Sequence, residues 1–317
     1  MPLSRLRSIA ALLTAVVLLA SSPIAAGQAA STQPITRTVY ATVTDQNEVP
    51  AMDVRTDEFE VRYAGKLQEI KRVQLAVAPL RVALIVADRG TGMFQLGALR
   101  FLEGLLGRGV FSITGVLTQP IRLLDYAGDV DAIRAGLIQL QRRGGANAVG
   151  AQVVEAIHDA TKEVARAGHR PVIVVLRAGG EAATPVRAET VRESLRQSGA
   201  ILYAISRAGT QSVGGGGNPT EAPTAAAVSH AAANSEIMEG QLTLGMILGE
   251  GSNDSGGRHI QAISTSIVSV MQQIARELVH QYEITYVMTE AGRPSDRLSV
   301  TVKRPGINVA AATRVPD

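Results

Sequence analysis

Residues 83–93, ALIVADRGTGM, end an apolar run on one carboxylate, Asp88, with Gly90 and Gly92 directly after it. A carboxylate at the end of a buried strand is a suitable oxygen ligand for a hard divalent cation. Glycines beside it leave bare backbone amides, which suit an anion or a partner carboxylate instead. Gly144 and Gly145 form a second such pair further along the chain. Arg142, Arg143 and Arg177 lie at neighbouring loop positions and are candidates for partner contact, with guanidinium charge in place of a metal.

Other chemistry finds little support. GTGMFQLG imitates a dinucleotide fingerprint, but the third glycine of G-x-G-x-x-G falls on Gln95. The sequence contains no phosphate loop of the G-x-x-x-x-G-K-[ST] type and no G-x-S-x-G elbow. His158, His169, His230, His259 and His280 are scattered, without metal-binding spacing. His158-Asp159 reads as a packed or solvated pair on a helix. Glu58 and Glu60 flank Phe59 on a strand and read as solvent-facing. The KRP stretch near the C-terminus reads as an exposed strand end.

Composition narrows the classes further. The chain has 317 residues, no Cys and no Trp, and aromatics make up 3 %. Thiol catalysis, Cys-ligated zinc and disulfide scaffolding are excluded, and stacking platforms for bases or sugars are scarce. Residues 1–30 read as a secretory signal peptide: Arg5 and Arg7, an apolar run IAALLTAVVLLA too short to span a bilayer comfortably, then small residues. No later segment approaches a membrane span. Removing Arg5 and Arg7 lowers the formal charge of +3 to about +1, which is no footprint for nucleic acid.

These groups must be positioned by alternating strands and helices. Residues 35–78 read as an N-terminal β-unit, with a turn at Ala64-Gly65 and alternating Phe59, Val61 and Tyr63. From 80 to 280, near-continuous apolar strands such as LRVALIVA and PVIVVLRAG alternate with helices, the pattern of a doubly wound, mostly parallel α/β sheet. The first helix places Met93, Leu96, Leu99, Leu102 and Leu106 on its apolar stripe. Asp129 and Thr184 are expected N-caps. Residues 209–234, with four consecutive glycines, read as a flexible loop. Ile267, Val270, Met271, Ile274 and Leu278 mark a strong amphipathic helix. Residues 281–317 carry C-terminal strands, YEITYVM and DRLSVTVKRP, read as a hairpin-like pair that packs with the N-terminal unit.

The order of these elements resembles the secreted bacterial von Willebrand factor type A (vWA) proteins. DEFEVRYAGKLQEI (57–70) is similar to the family's N-terminal unit, and VALIVADRGTGM to its first sheet strand. GGA (144–146) stands for GGT, RAG (177–179) for TDG, and GGRHI (256–260), QYEITY (281–286) and KRPG (303–306) follow in family order. The resemblance spans about residues 35–315. It implies a doubly wound domain with a ligand site at the carboxyl ends of the strands, where serine, threonine and acidic oxygens hold Mg²⁺. Of those positions only Asp88 keeps its oxygen. The serine positions are Gly90 and Gly92, the threonine position Ala146, and the second aspartate position Ala178. The resemblance therefore implies a degenerate adhesion site, with no metal and no cofactor expected.

The expected function is protein–protein interaction by an exported, non-enzymatic chain, periplasmic, envelope-associated or secreted, with an unnamed protein partner and no nucleic acid. Two alternatives stand beside it: a periplasmic Rossmann-like enzyme or nucleotide binder, and a structural envelope protein.

Overall fold

The structure is a computed structural model that describes residues 34–116, 119–142, 152–180, 184–208, 225–288 and 296–315, with only the backbone at 141–142 and 225–234. β1 (Ile35–Thr44), β2 (Phe59–Tyr63), β3 (Lys66–Leu67) and β4 (Glu69–Leu75) form the N-terminal unit. β5 (Leu80–Ala87), α1 (Gln95–Gly104), β6 (Gly109–Val116), β7 (Pro120–Ala127), α2 (Val130–Arg142), α3 (Val153–Val164), β8 (Arg170–Arg177), α4 (Ala188–Ser198) and β9 (Ile201–Arg207) follow. α5 (Ala225–Met246) runs through a π-helical turn (Ile247–Gly251) into the short α6 (Ser252–Asp254). β10 (Arg258–Ala262), α7 (Ile267–Val279), β11 (Tyr282–Met288), β12 (Leu298–Val302) and β13 (Asn308–Ala311) complete the chain.

The central sheet has the order β10-β9-β8-β5-β6-β7. Every pair is parallel except β6 with β7. β5 is first in sequence and central in space, so strand order reverses there. Side-chain alternation sends Leu80, Val82, Leu84 and Val86 of β5 to one face, under α1, α2 and α7. Ala83, Ile85 and Ala87 go to the other, under α3, α4 and the π-helical turn. Burial on both faces explains the uninterrupted apolar strands. The expected doubly wound α/β class is the observed one.

A second layer system closes the ends of the chain. A four-stranded sheet, β13-β1-β11-β4, packs against a three-stranded one, β12-β2-β3. Val39, Val43, Phe59, Val61, Ile284 and Tyr286 fill the space between them. Ala64 and Gly65 both have positive φ, 48° and 79°, the backbone of a two-residue hairpin turn between β2 and β3.

Several expectations change. β11 and β12 are no hairpin: β11 lies between β1 and β4, and β12 pairs with β2 in the other sheet. Periodicity shows which residues alternate, not which strand they meet. Ala225–Asn234, read as part of a flexible loop, open α5; alanine's helix preference prevails in that run. The rest of that loop, 209–224, lies outside the described residues, as does the expected signal segment. α1 buries Ala98, Phe101 and Leu102 and leaves Leu96 54 % exposed, so its stripe is rotated from the one expected. Asp129 caps α2, its Oδ2 accepting from Ala132 N at 2.8 Å. Thr184 instead makes a local turn, its Oγ1 accepting from Val186 N while α4 starts at Ala188. The expected exposed basic end is an ion-pair clamp, with Arg304 bonded to Asp53 and Glu58 and Lys303 3.7 Å from Glu60.

Arg170, 3 % exposed, joins the two layer systems. Its Nε donates to Ala78 O at 2.9 Å, and its Nη1 to Leu278 O at 2.8 Å and Gln281 Oε1 at 3.0 Å. Gln281 Nε2 in turn donates to Thr42 of β1. Replacing Arg170 with Met leaves these buried acceptors unsatisfied. The expected loss is about 3 kcal/mol or more of unfolding free energy, read from urea denaturation; a loss below about 1 kcal/mol would show that Arg170 holds nothing together.

Candidate functional site

In an open α/β sheet, the crevice for a ligand lies at the carboxyl ends of the strands where their order reverses. Here that point is between β5 and β8, and the residues that follow these strands are Asp88 and Ala178. The sequence-derived positions Asp88, Gly90, Gly92 and Ala178 are thus at one end of the sheet, and Ala178 N donates to Ala87 O at 3.0 Å. Ala146 and Arg143 lie outside the described residues, and so does the side chain of Arg142.

The Asp88 carboxylate is 4 % exposed and already engaged. Oδ1 accepts from Gly90 N at 2.9 Å, and Oδ2 accepts from Gly92 N at 2.9 Å. Thr91 closes the same loop, its N and Oγ1 both donating to Asp88 O. The turn requires positive φ at Arg89 (56°), Gly90 (73°) and Gly92 (69°). Glycine meets that condition at no steric cost, whereas a serine would be strained. Beneath Asp88 lies a cavity of about 10 Å³ bounded by Val86, Gly115, Leu123 and Leu140. That is room for a single water at most.

These residues do not fit the metal that the resemblance implies. Mg²⁺ requires near-octahedral oxygen coordination. Gly90, Gly92 and Ala178 offer no side-chain oxygen, and both Asp88 oxygens satisfy backbone amides. Among the described residues, no group of three or more His, Asp or Glu is arranged to hold a metal.

Arg177 lies at the same end of the sheet. It ends β8 beside Ala87. Alternation puts it on the face of Val175 and Ala87, opposite the face that Asp88 shares with Val86. Its Nη2 donates to Gly180 O and, at 3.1 Å, to Gln241 Oε1 of α5. Gln241 Nε2 also donates to Gly180 O, at 2.7 Å. Burial lowers the Arg177 pKa. The pleat thus puts Arg177 and Asp88 on opposite faces of the sheet. Arg89, not singled out from sequence, comes close to Gly180 instead; a Cβ built there would meet Arg89 Cδ at 3.5 Å.

Two further residues were missed. Ser206, 5 % exposed near the end of β9, has its Oγ 2.9 Å from His259 Nε2 of β10. Burial, then the Arg177 charge, lowers the His259 pKa. The available signal was a polar residue near the end of an otherwise apolar strand. The other expected histidine pair is no relay, since Asp159 bonds to Lys162. A cavity of about 310 Å³ opens at the amino end of β9, where Arg192 pairs with Asp254 at 2.6 Å and Glu250 at 2.8 Å. Its opposite charges already satisfy one another.

The loop geometry makes two expectations. Asp88→Ala strands two amides and lowers stability by about 2 kcal/mol. The double variant Gly90→Ser, Gly92→Ser costs roughly 1–2 kcal/mol per residue through left-handed strain and creates no cation site. Urea unfolding with and without Mg²⁺ checks both; a Ser–Ser variant stabilised by Mg²⁺ would refute this account of the loop.

No protein-family model matches the sequence, and no curated protein matches it. Solved structures resemble it at low identity. A von Willebrand factor type A structure from Catenulispora acidiphila is 12 % identical, with TM-score 0.43, covering 91 % of this chain and 75 % of its own. The vWF domain of the type V pili tip protein Mfa5 from Porphyromonas gingivalis is 11 % identical, with TM-score 0.42, covering 63 % and 95 %. Proximal thread matrix protein 1 from the mussel byssus, with a zinc-occupied MIDAS motif, is 13 % identical, with TM-score 0.41; the match covers 70 % of this chain and 50 % of that one.

Proposed function

We propose that this chain is an exported interaction module of the vWA kind that engages a protein partner through the carboxyl-end loops of its sheet, without a metal bridge and without catalysis. One observation carries the reading: both oxygens of Asp88, the retained acidic position, are bonded to Gly90 N and Gly92 N. The carboxylate braces the loop, and Gly90, Gly92 and Ala178 supply no side-chain oxygen to complete a cation's shell. Three further points support it. The family-like motifs run in order from residue 57 to residue 306. The loops after β5 and β8 meet at the point of strand-order reversal. Among the described residues, no helix is long and apolar enough to cross a membrane.

Two measurements test this. Thermal unfolding is expected to be unchanged by Mg²⁺, Mn²⁺ or EDTA. A cation at 100 times its Kd would add about 2.7 kcal/mol and be plainly visible. Affinity capture from an envelope extract is expected to retain one defined protein equally with and without EDTA. An EDTA-reversible stabilisation, or a partner released by EDTA, would overturn the metal-free reading.

A further inference from the structure

Arg177, Ser206 and His259 lie on three adjacent strands, β8, β9 and β10, and on one face of the sheet. Arg177 and Ser206 are register partners. Alternation places His259 opposite Ile260, which packs against the other face's core. Arg177 ends β8 and Ser206 lies near the end of β9, while His259, the second residue of β10, brings its ring to Ser206; Gly180 and Gln241 of α5 stand beside Arg177.

Among the described residues, the charge of this cluster is unbalanced. Arg177 is partly buried and makes no ion pair with any described carboxylate. Both of its hydrogen bonds come from Nη2 and go to neutral oxygens, so Nε and Nη1 donate to no described residue. Arg170 is the informative contrast. It is also buried, with its pKa lowered by burial, but it uses two nitrogens on three acceptors, and Tyr40 and then Glu283 counter part of that burial. No described carboxylate acts on Arg177, whose pKa burial lowers. A guanidinium taken partly out of water without a counter-charge is normally paired with an anion.

We propose that Arg177, with the Ser206 hydroxyl and the His259 ring beside it, forms a carboxylate subsite at the carboxyl end of the sheet. Of the three groups only Arg177 is charged, since Ser206 is neutral and burial and Arg177 favour neutral His259. A single charge matches a monoanion such as a carboxylate better than a phosphate dianion. The carboxylate belongs either to an acidic side chain of a partner protein, which rests on the interaction reading above, or to a small organic acid.

The test uses ¹⁵N-labelled full-length chain and follows the arginine Nε–Hε resonances during titration with sodium acetate, with sodium chloride at equal ionic strength as control. One resonance, absent from Arg177→Lys, is expected to shift saturably with acetate and not with chloride. Should Arg177→Lys fail to fold, Gln241→Ala identifies the same resonance by altering a tether of Arg177 while keeping its guanidinium. Ser206→Ala is expected to weaken acetate binding about threefold to tenfold. A resonance that stays still, or moves equally with chloride, overturns the subsite. Poly-L-glutamate distinguishes the sources. A matching shift at equal or lower carboxylate concentration assigns the subsite to a protein side chain. A shift with acetate alone assigns it to a small acid and rejects the protein side chain, while partner capture tests the interaction reading separately.

Discussion

The guanidinium of Arg170 is where the structure is tied together. The chain passes between the antiparallel sheets and the parallel sheet twice, once after β4 and once after α7. Arg170, the first residue of β8, bonds to Ala78 at the first crossing and to Leu278 and Gln281 at the second. Backbone bonds reinforce the same point: Ala76 N donates to Gln281 O, and Arg170 N to Pro79 O. A charge this buried is tolerated because its donors meet well-placed oxygens. Arg170 thus stands at the amino end of β5 and β8, whose carboxyl ends lead into the candidate loops.

At the other end of the same two strands the physical logic is inverted. Asp88 is a buried acid that satisfies amides of its own loop, and Arg177 is a partly buried base that no described acid answers. They are neighbours along the sheet edge, yet the pleat puts them on opposite faces. Each therefore acts in a separate environment: Asp88 shapes a tight turn, and Arg177 faces Ser206, His259 and the Gln241 side of α5. Function argued from this end of the sheet has to treat the two faces separately.

Much of the architecture was legible because burial on both faces leaves a direct trace in sequence. LRVALIVA, PVIVVLRAG and AILYAI could hardly be anything but central strands, and the stripe of α7 follows from its spacing. Pairing was less legible. YEITYVM and DRLSVTVKRP alternate as strands must, but alternation is the same whichever sheet receives them. The stripe of α1 was misread because Phe101 and the small Ala98 and Gly97 face α7, where Gly97 lies tightly against Ile267. A hydrophobicity count weighs Leu96 more heavily than a glycine that permits close approach.

The sequence by itself determined which side-chain oxygens exist near the end of β5: the Asp88 carboxylate and the Thr91 hydroxyl, with glycines and alanine where the resemblance puts other ligands. It also determined that two of those glycines permit a left-handed turn. Only the tertiary structure decided where the Asp88 carboxylate points, because that depends on closure of the 88–92 loop on itself. Only the tertiary structure brought Arg177, Ser206 and His259 together from three distant segments. Contacts across parallel strands depend on which crossover lands beside which strand, and local residue patterns carry no information about that choice.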